Sequence, residues 1–194
     1  MALSSEAAPL RLARRDHLTQ VIKYVLYGDQ DTPADSSQGR PEPSHDTPSH
    51  HGSAGADYER EILCLVNKER RRVGLNALAL HPAVTQAAHE HSLYQARVGE
   101  MTHSDENYGP VGERLRNNGF NFAAAAENIA DAPAATAKEV FDMWMKDPPH
   151  YENIVDPNVT YMGVSNVNGK WTQDFGSDSD TSKPEQAYYG EGYC

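Results

Sequence analysis

Apolar side chains recur along this chain at two spacings, and the switch between them divides it into elements. Ile62, Leu65, Val66 and Val73, with Glu69 among them, share one face of a helix that opens at Asp57 as N-cap and ends at Gly74. Leu75, Leu78 and Leu80 form an extended strap. His81-Pro82 opens a second helix with proline at its first position, and Val84, Ala87, Ala88, His91 and either Tyr94 or Gln95 mark its inner face up to Gly99. A short third helix covers residues 110–118 and stops at Gly119. A fourth follows Pro133, with Val140, Phe141, Met143 and Trp144 as core candidates and Pro148-Pro149 as its stop. The spacing then changes: residues 161–167 and 170–175 read as strands, joined by Asn168-Gly169, a strong hairpin signal. Helices around a small antiparallel sheet give an α+β fold over residues 57–176.

The flanks read differently. Val21, Ile22, Val25 and Leu26 predict a short amphipathic helix at residues 16–27. Arg14-Arg15 before it is either a dibasic processing site or two solvated charges ahead of a helix. Residues 28–55 are dominated by Asp, Ser, Pro, Gly and His and lack large apolar side chains, so they are expected to form a disordered linker completing an N-terminal extension of 1–56. His45, His50 and His51 belong to that polar segment. Residues 177–194 form an acidic C-terminal tail.

Composition removes some classes of function. Only 38% of the 194 residues are hydrophobic, and the net charge is −11, with each of the three segments acidic. No basic stripe is present for phosphates, which argues against nucleic acid as a partner. No apolar run approaches the roughly 20 residues of a membrane span, and Met1-Ala2-Leu3-Ser4-Ser5-Glu6 lacks the apolar stretch of a signal peptide. Two cysteines, Cys64 and Cys194, lie far apart. They either form a disulfide closing a very long loop or remain a buried thiol and a tail thiol; the even count and the terminal position favour the bridge.

Some residues stand out chemically. His103 follows the second helix, where loops gather functional groups. Glu127 lies inside Ala-Ala-Ala-Ala-Glu-Asn-Ile-Ala and needs a partner if buried. Asp147 and His150 flank the proline pair. His91 is expected as a satisfied core histidine and His89 as exposed. Asn158-Val159-Thr160 is a glycosylation sequon at Asn158, in a turn after Pro157. Each residue also has a purely structural reading.

Several blocks together resemble the CAP superfamily (cysteine-rich secretory, antigen 5, pathogenesis-related-1) in its microbial, SCP-domain form. These are Leu63-Cys64-Leu65-Val66-Asn67-Lys68-Glu69-Arg70, Ala88-His89-Glu90-His91-Ser92 through Thr102-His103-Ser104, Ala126-Glu127-Asn128-Ile129-Ala130, Trp144 through His150, Asn153-Ile154-Val155-Asp156-Pro157, and Trp171-Thr172-Gln173-Asp174-Phe175-Gly176. They follow one another in family order. The resemblance implies a three-layer α-β-α sandwich and a cleft in which His103, His150 and Glu127 meet, with Asp147 at the place of a second acid. Pro149 stands where the family has glycine. The implied cofactor is a divalent metal, zinc, on His103 and His150, with Glu127 and Asp147 as carboxylates behind the imidazoles.

The implied function is that of an extracellular, monomeric, non-enzymatic binder of a lipid, sterol or other small apolar ligand, or of a cell-wall component. Phe120, Phe122, Ala124 and Met143 are the candidate ligand surface. The alternatives are a metal-dependent hydrolase with Glu127 as base beside His103 and His150, and an extracellular interaction module.

Overall fold

A computed structural model describes residues 19–25, as a paired strand, and residues 54–178. The elements run in the order β1 (Thr19–Val25), α1 (Ala54–Arg72), β2 (Ala79–Leu80), α2 (Pro82–Val98), α3 (Val111–Asn117), β3 (Phe122–Asp131), α4 (Ala137–Lys146), α5 (Pro148–Ile154), β4 (Tyr161–Val167) and β5 (Lys170–Asp178). One five-stranded sheet has the order β1-β3-β5-β4-β2, antiparallel except for the β2–β4 pair.

Helices cover both faces of this sheet. Strand alternation sends Ala124, Ala126 and Ala130 of β3 into one apolar core with Ile62, Leu63 and Val66 of α1, Val140 and Trp144 of α4, and Ile154 of α5. It sends Ala125 into a second core with Val84 and Ala87 of α2 and Val111 and Leu115 of α3, and a register shift between Phe122 and Ala124 brings Phe122 to that same side. The result is the α-β-α sandwich. Gly163 of β4 lets α2 come close, because a Cβ there would overlap the backbone of Val84 and Thr85.

Several elements fall where the spacing puts them. The β4–β5 hairpin turns on Asn168 and Gly169 with φ of 53° and 84°, as a type I′ turn requires. His81 caps α2 through a bond from the Ala83 amide, Pro82 stands at the first position, and Gly99 ends the helix at φ 75°. All the inner-face positions of α2 are buried. In α4, Thr136 and Glu139 form a capping box.

Other expectations are corrected. Residues 19–25 form a strand, not a turn of helix: a short run of β-branched and aromatic residues fits both spacings, and the open edge of β3 decides. α1 begins at Ala54, so Asp57 stands in its first turn and does not cap it. Its inner face is Ile62, Leu63, Val66, Asn67 and Arg70, while Val73 is exposed. The Arg70 guanidinium donates to the carbonyls of Ile154 (2.9 Å) and Asp156 (2.8 Å), fastening α1 to the end of α5. Pro148-Pro149 does stop α4, yet it also starts α5, where fixed φ and missing amides cost nothing. The alanine run at residues 123–126 is part of β3, a strand its composition does not announce. Cys64 is half-buried on α1; Cys194, the processing pair Arg14-Arg15, the linker histidines and residues 179–194 lie outside the described residues.

Candidate functional site

Glu127 is the centre of a buried polar cluster assembled from four separate segments. It stands mid-strand on β3, fully buried, on the face turned toward α2 and α3. His103, in the loop after α2, places Nδ1 2.6 Å from Glu127 Oε1. Arg114 of α3 is also fully buried and donates through Nη2 to Glu127 Oε2. Its Nη1 donates to the carbonyl of Gly109 at 3.0 Å. Asp174 of β5 is the register partner of Glu127 across the β3–β5 pair, with Arg114 Nη2 at 3.8 Å from its Oδ1. His91 of α2 donates from Nε2 to the carbonyl of Thr102 at 2.6 Å, and its Nε2 lies 3.8 Å from Glu127 Oε2.

The electrostatics follow from burial around one permanent charge. Burial, and then the Arg114 cation, push the His91 imidazole down to about 3 and the His103 imidazole down to about 4. Both rings are therefore neutral at pH 7. Burial raises Glu127, with Arg114 opposing, and burial followed by the Glu127 charge raises Asp174 well above the usual carboxylate range. Neither oxygen of Asp174 accepts a hydrogen bond among the described residues, and Arg114 and His103 oppose the rise without cancelling it. Within the pair, the Arg114 guanidinium favours the anion on Glu127, and burial beside that charge favours the protonated form of Asp174. His103 Nδ1 then carries hydrogen toward Glu127, and Nε2, a buried atom with no hydrogen-bond partner among the described residues, keeps its lone pair.

His150 arrives at β3 from the other layer. It lies in the first turn of α5, and its carbonyl accepts from Asn128 Nδ2 at 3.2 Å. Asn153 Nδ2 donates to Asn128 Oδ1 at 2.9 Å, and Asn128 also donates to Gln173 Oε1 at 3.1 Å. Asp147 Oδ2 is 3.0 Å from His150 Nδ1. The structure thus places Glu127 beside His103 and Asp147 beside His150. Glu127 and Asn128 are consecutive strand residues facing opposite sides, so the backbone of His150 meets β3 through a residue of the face opposite to that of Glu127.

Among the described residues no three His, Cys, Asp or Glu side chains are grouped to hold a metal. Both oxygens of Glu127 are engaged, and a buried guanidinium sits where a cation would have to be balanced.

The predicted ligand surface also divides. Phe120 and Phe122 pack in the α2–α3 core, Ala124 in the opposite core, and Met143, from α4, against the same core as Ala124. The register shift of β3 between Phe122 and Ala124 puts the two groups on opposite sides of the sheet. Met143 does border a surface pocket of about 480 Å³ beside Ala134, Glu139, Asp142 and Lys146. His89 is exposed, as expected, with Ser165 Oγ at 3.2 Å. His91 is buried but is not the self-contained core residue expected, since its Nδ1 has no hydrogen-bond partner and stands 4.0 Å from Asp105 Oδ2. Asn158 is exposed in its turn and donates to Asp156 Oδ1.

Arg114 and Asp174 were not singled out by the sequence reading. Their signal is weak but real: a basic residue on the same short-helix face as Val111 and Leu115, and an acid at an inward position of a buried strand, each obliged to find a partner.

A three-layer sandwich with a histidine–glutamate cluster beside its central strand defines the class. Residues 63–175 match the cysteine-rich secretory protein family, CAP, and the chain belongs to it. The chain is 32% identical over 149 residues to the uncharacterised protein YkwD of Bacillus subtilis, covering 76% of this chain and 57% of that protein. It is 29% identical over 121 residues to the uncharacterised membrane protein YlbC of the same organism, covering 60% of this chain and 34% of that one. This chain therefore spans about half or less of the length of these two relatives. Among solved structures, an extracellular SCP-domain protein from Bacillus anthracis superposes with a TM-score of 0.61 at 26% identity, over 64% of this chain and 41% of that one. An outer surface protein of Borrelia burgdorferi shares the fold alone, with a TM-score of 0.54 at 16% identity, over 62% and 92% of the two chains.

Two predictions follow from the cluster. Glu127→Gln leaves the Arg114 charge buried and unanswered, and should cost about 3–5 kcal/mol in urea unfolding. Arg114→Met combined with Glu127→Leu should cost clearly less than the two single losses added; strict additivity would show that the pair is not coupled. The second concerns pH. His91 and His103 are held below their ordinary 6.5, so the unfolded chain takes up protons first as pH falls. Stability should be intact above about pH 6.5 and decline toward pH 3–4 by about 1.4 kcal/mol per pH unit per imidazole. His91→Gln should reduce that slope in thermal unfolding between pH 6.5 and 4; an unchanged slope would show that His91 is not held neutral.

Proposed function

We propose that this chain is a secreted, non-enzymatic binding module whose ligand is a small molecule, of the lipid or sterol kind, that offers a hydroxyl or N–H to His103. The observation that supports this is the state of that ring. Its Nδ1 is anchored by Glu127, its Nε2 lone pair is unpartnered among the described residues, and the side chain alone in the cluster keeps measurable solvent contact, at 14% against 0% for His91, Arg114, Glu127 and Asp174. A pre-oriented acceptor with a fixed tautomer binds a donor without reorganisation.

The hydrolase reading has less support. Glu127 would have to serve as base, yet it is fully buried and bonded to both His103 and Arg114. Ser104 is exposed beside His103, but its backbone, not its hydroxyl, is what the local bonds engage. Secretion is supported by the extracellular relative from Bacillus anthracis and by the family's name. An oxidising destination makes a Cys64–Cys194 bridge part of the same proposal.

Protein purified from the producing organism should carry a co-purifying small molecule detectable by native mass spectrometry, and His103→Ala should lose it while remaining folded. Retention by His103→Ala would sink the reading. Thiol titration in denaturant without reductant should find no free thiol in the exported protein; two free thiols would remove the bridge.

A further inference from the structure

The outer edge of β3 is covered by a strand that comes from outside the residues matched to the family. The family match spans residues 63–175, and without Thr19–Val25 the sheet would end at β3. β1 pairs with β3 antiparallel over seven positions, from Thr19↔Ala130 to Val25↔Ala124, with Ile22 opposite Glu127 and Val21 opposite Asn128. The strand that carries the polar cluster on one face and the α5 anchor on the other is therefore sealed along its backbone by β1. β1 packs beside β3 and α5. It is not joined to β3 by a hairpin: α1, β2, α2 and α3 intervene, and residues 26–53 connect it to α1 through a sequence rich in Asp, Ser, Pro and Gly.

We propose that the β3 edge is a strand-addition site for an extended polypeptide, and that Thr19–Val25 is its tethered occupant in cis. An open strand edge offers a row of unpaired N–H and C=O groups, and pairing to it draws its affinity from main-chain bonds that any extended segment can make. A covalent tether holds such a segment at roughly millimolar effective concentration, enough to fill the edge yet weak enough to yield to a better strand. The resident sequence Thr-Gln-Val-Ile-Lys-Tyr-Val, β-branched and free of proline, shows the kind of partner that suits the edge. This inference concerns the backbone of β3 and stands apart from the His103 ligand.

The test uses the full chain with Val21→Pro and Ile22→Pro together. Adjacent strand residues point their amides in opposite directions, so one of the two prolines removes a donor aimed at β3. The probe is a fluorescent peptide of residues 17–27, followed by anisotropy. The double variant should bind it at least about 100-fold tighter than the wild type. Amides of residues 122–131 should exchange faster in the variant and slow again once peptide is added. Equal affinity for both proteins, no binding to either, or undiminished protection of β3 in the variant would overturn the proposal.

A second measurement covers failure of the variant to fold. A protease site inserted between Gly39 and Arg40 of the otherwise unchanged chain is cut, and the N-terminal fragment is challenged with the labelled peptide. Exchange of fragment for peptide with the rest still folded is the expected result. A fragment that leaves only when the remainder unfolds would make β1 an integral strand, and a concentration-dependent dimer that trades β1 between copies would replace the cis reading.

Discussion

A permanently charged guanidinium with no access to water has to be answered inside the protein, and the site follows from how Arg114 is answered. An arginine cannot shed its charge, so burial of Arg114 demands an anion and further acceptors. Glu127 supplies the anion, and the carbonyl of Gly109 takes a second bond. With Glu127 held as the anion, its other oxygen fixes the Nδ1 hydrogen of His103. Asp174, next to that anion and without donors of its own, is held toward its protonated form. One buried charge thus orders a helix, a loop and two strands, and sets the protonation of three neighbours.

β3 is the structural counterpart of that charge. It is the strand flanked on both faces by helices and, among the central strands, the one built mainly from alanine. Alanine has little intrinsic preference for a strand. Its small side chain, however, suits a strand on which bulky groups converge from both layers, among them Trp144 and Ile154 on one side and Phe120 and Leu115 on the other. The acid and amide that interrupt the alanines then divide the labour, Glu127 holding the α2–α3 layer and Asn128 the α5 layer.

That division explains what could be read from the chain alone. The β4–β5 hairpin and the inner face of α2 were legible because both depend on local signals, a turn dipeptide and a helical repeat. β3 was not, because its composition argues against a strand and only the two helical layers select it. β1 was misread for a related reason: its apolar run suits either spacing, and what decides it is a pairing partner about a hundred residues away in the chain. Glu127 and His103 were legible as an acid in an apolar run and a histidine after a helix. The role of His91 was not, since its burial is written in the helix but its approach to Asp105 depends on the loop path. Arg114 and Asp174 were visible only as charges at inward positions, and inward charges acquire meaning when their partners are known.

The same engagement that builds the cluster weighs against catalysis by it. A general base must be free to take a proton as the reaction proceeds, and a nucleophile must reach its substrate. Glu127 is tied at both oxygens, Asp174 is buried and held toward its protonated form, and His91 spends its donor on Thr102. In this cluster the His103 side chain is the one that keeps solvent contact, and in the proposed function its Nε2 serves as a fixed acceptor. In the two proposals made above, a rigid acceptor on one face of β3 and a backbone edge along its rim hold a partner in place. Neither needs the cluster to change its protonation, which is what a network balanced around a buried arginine is least able to do.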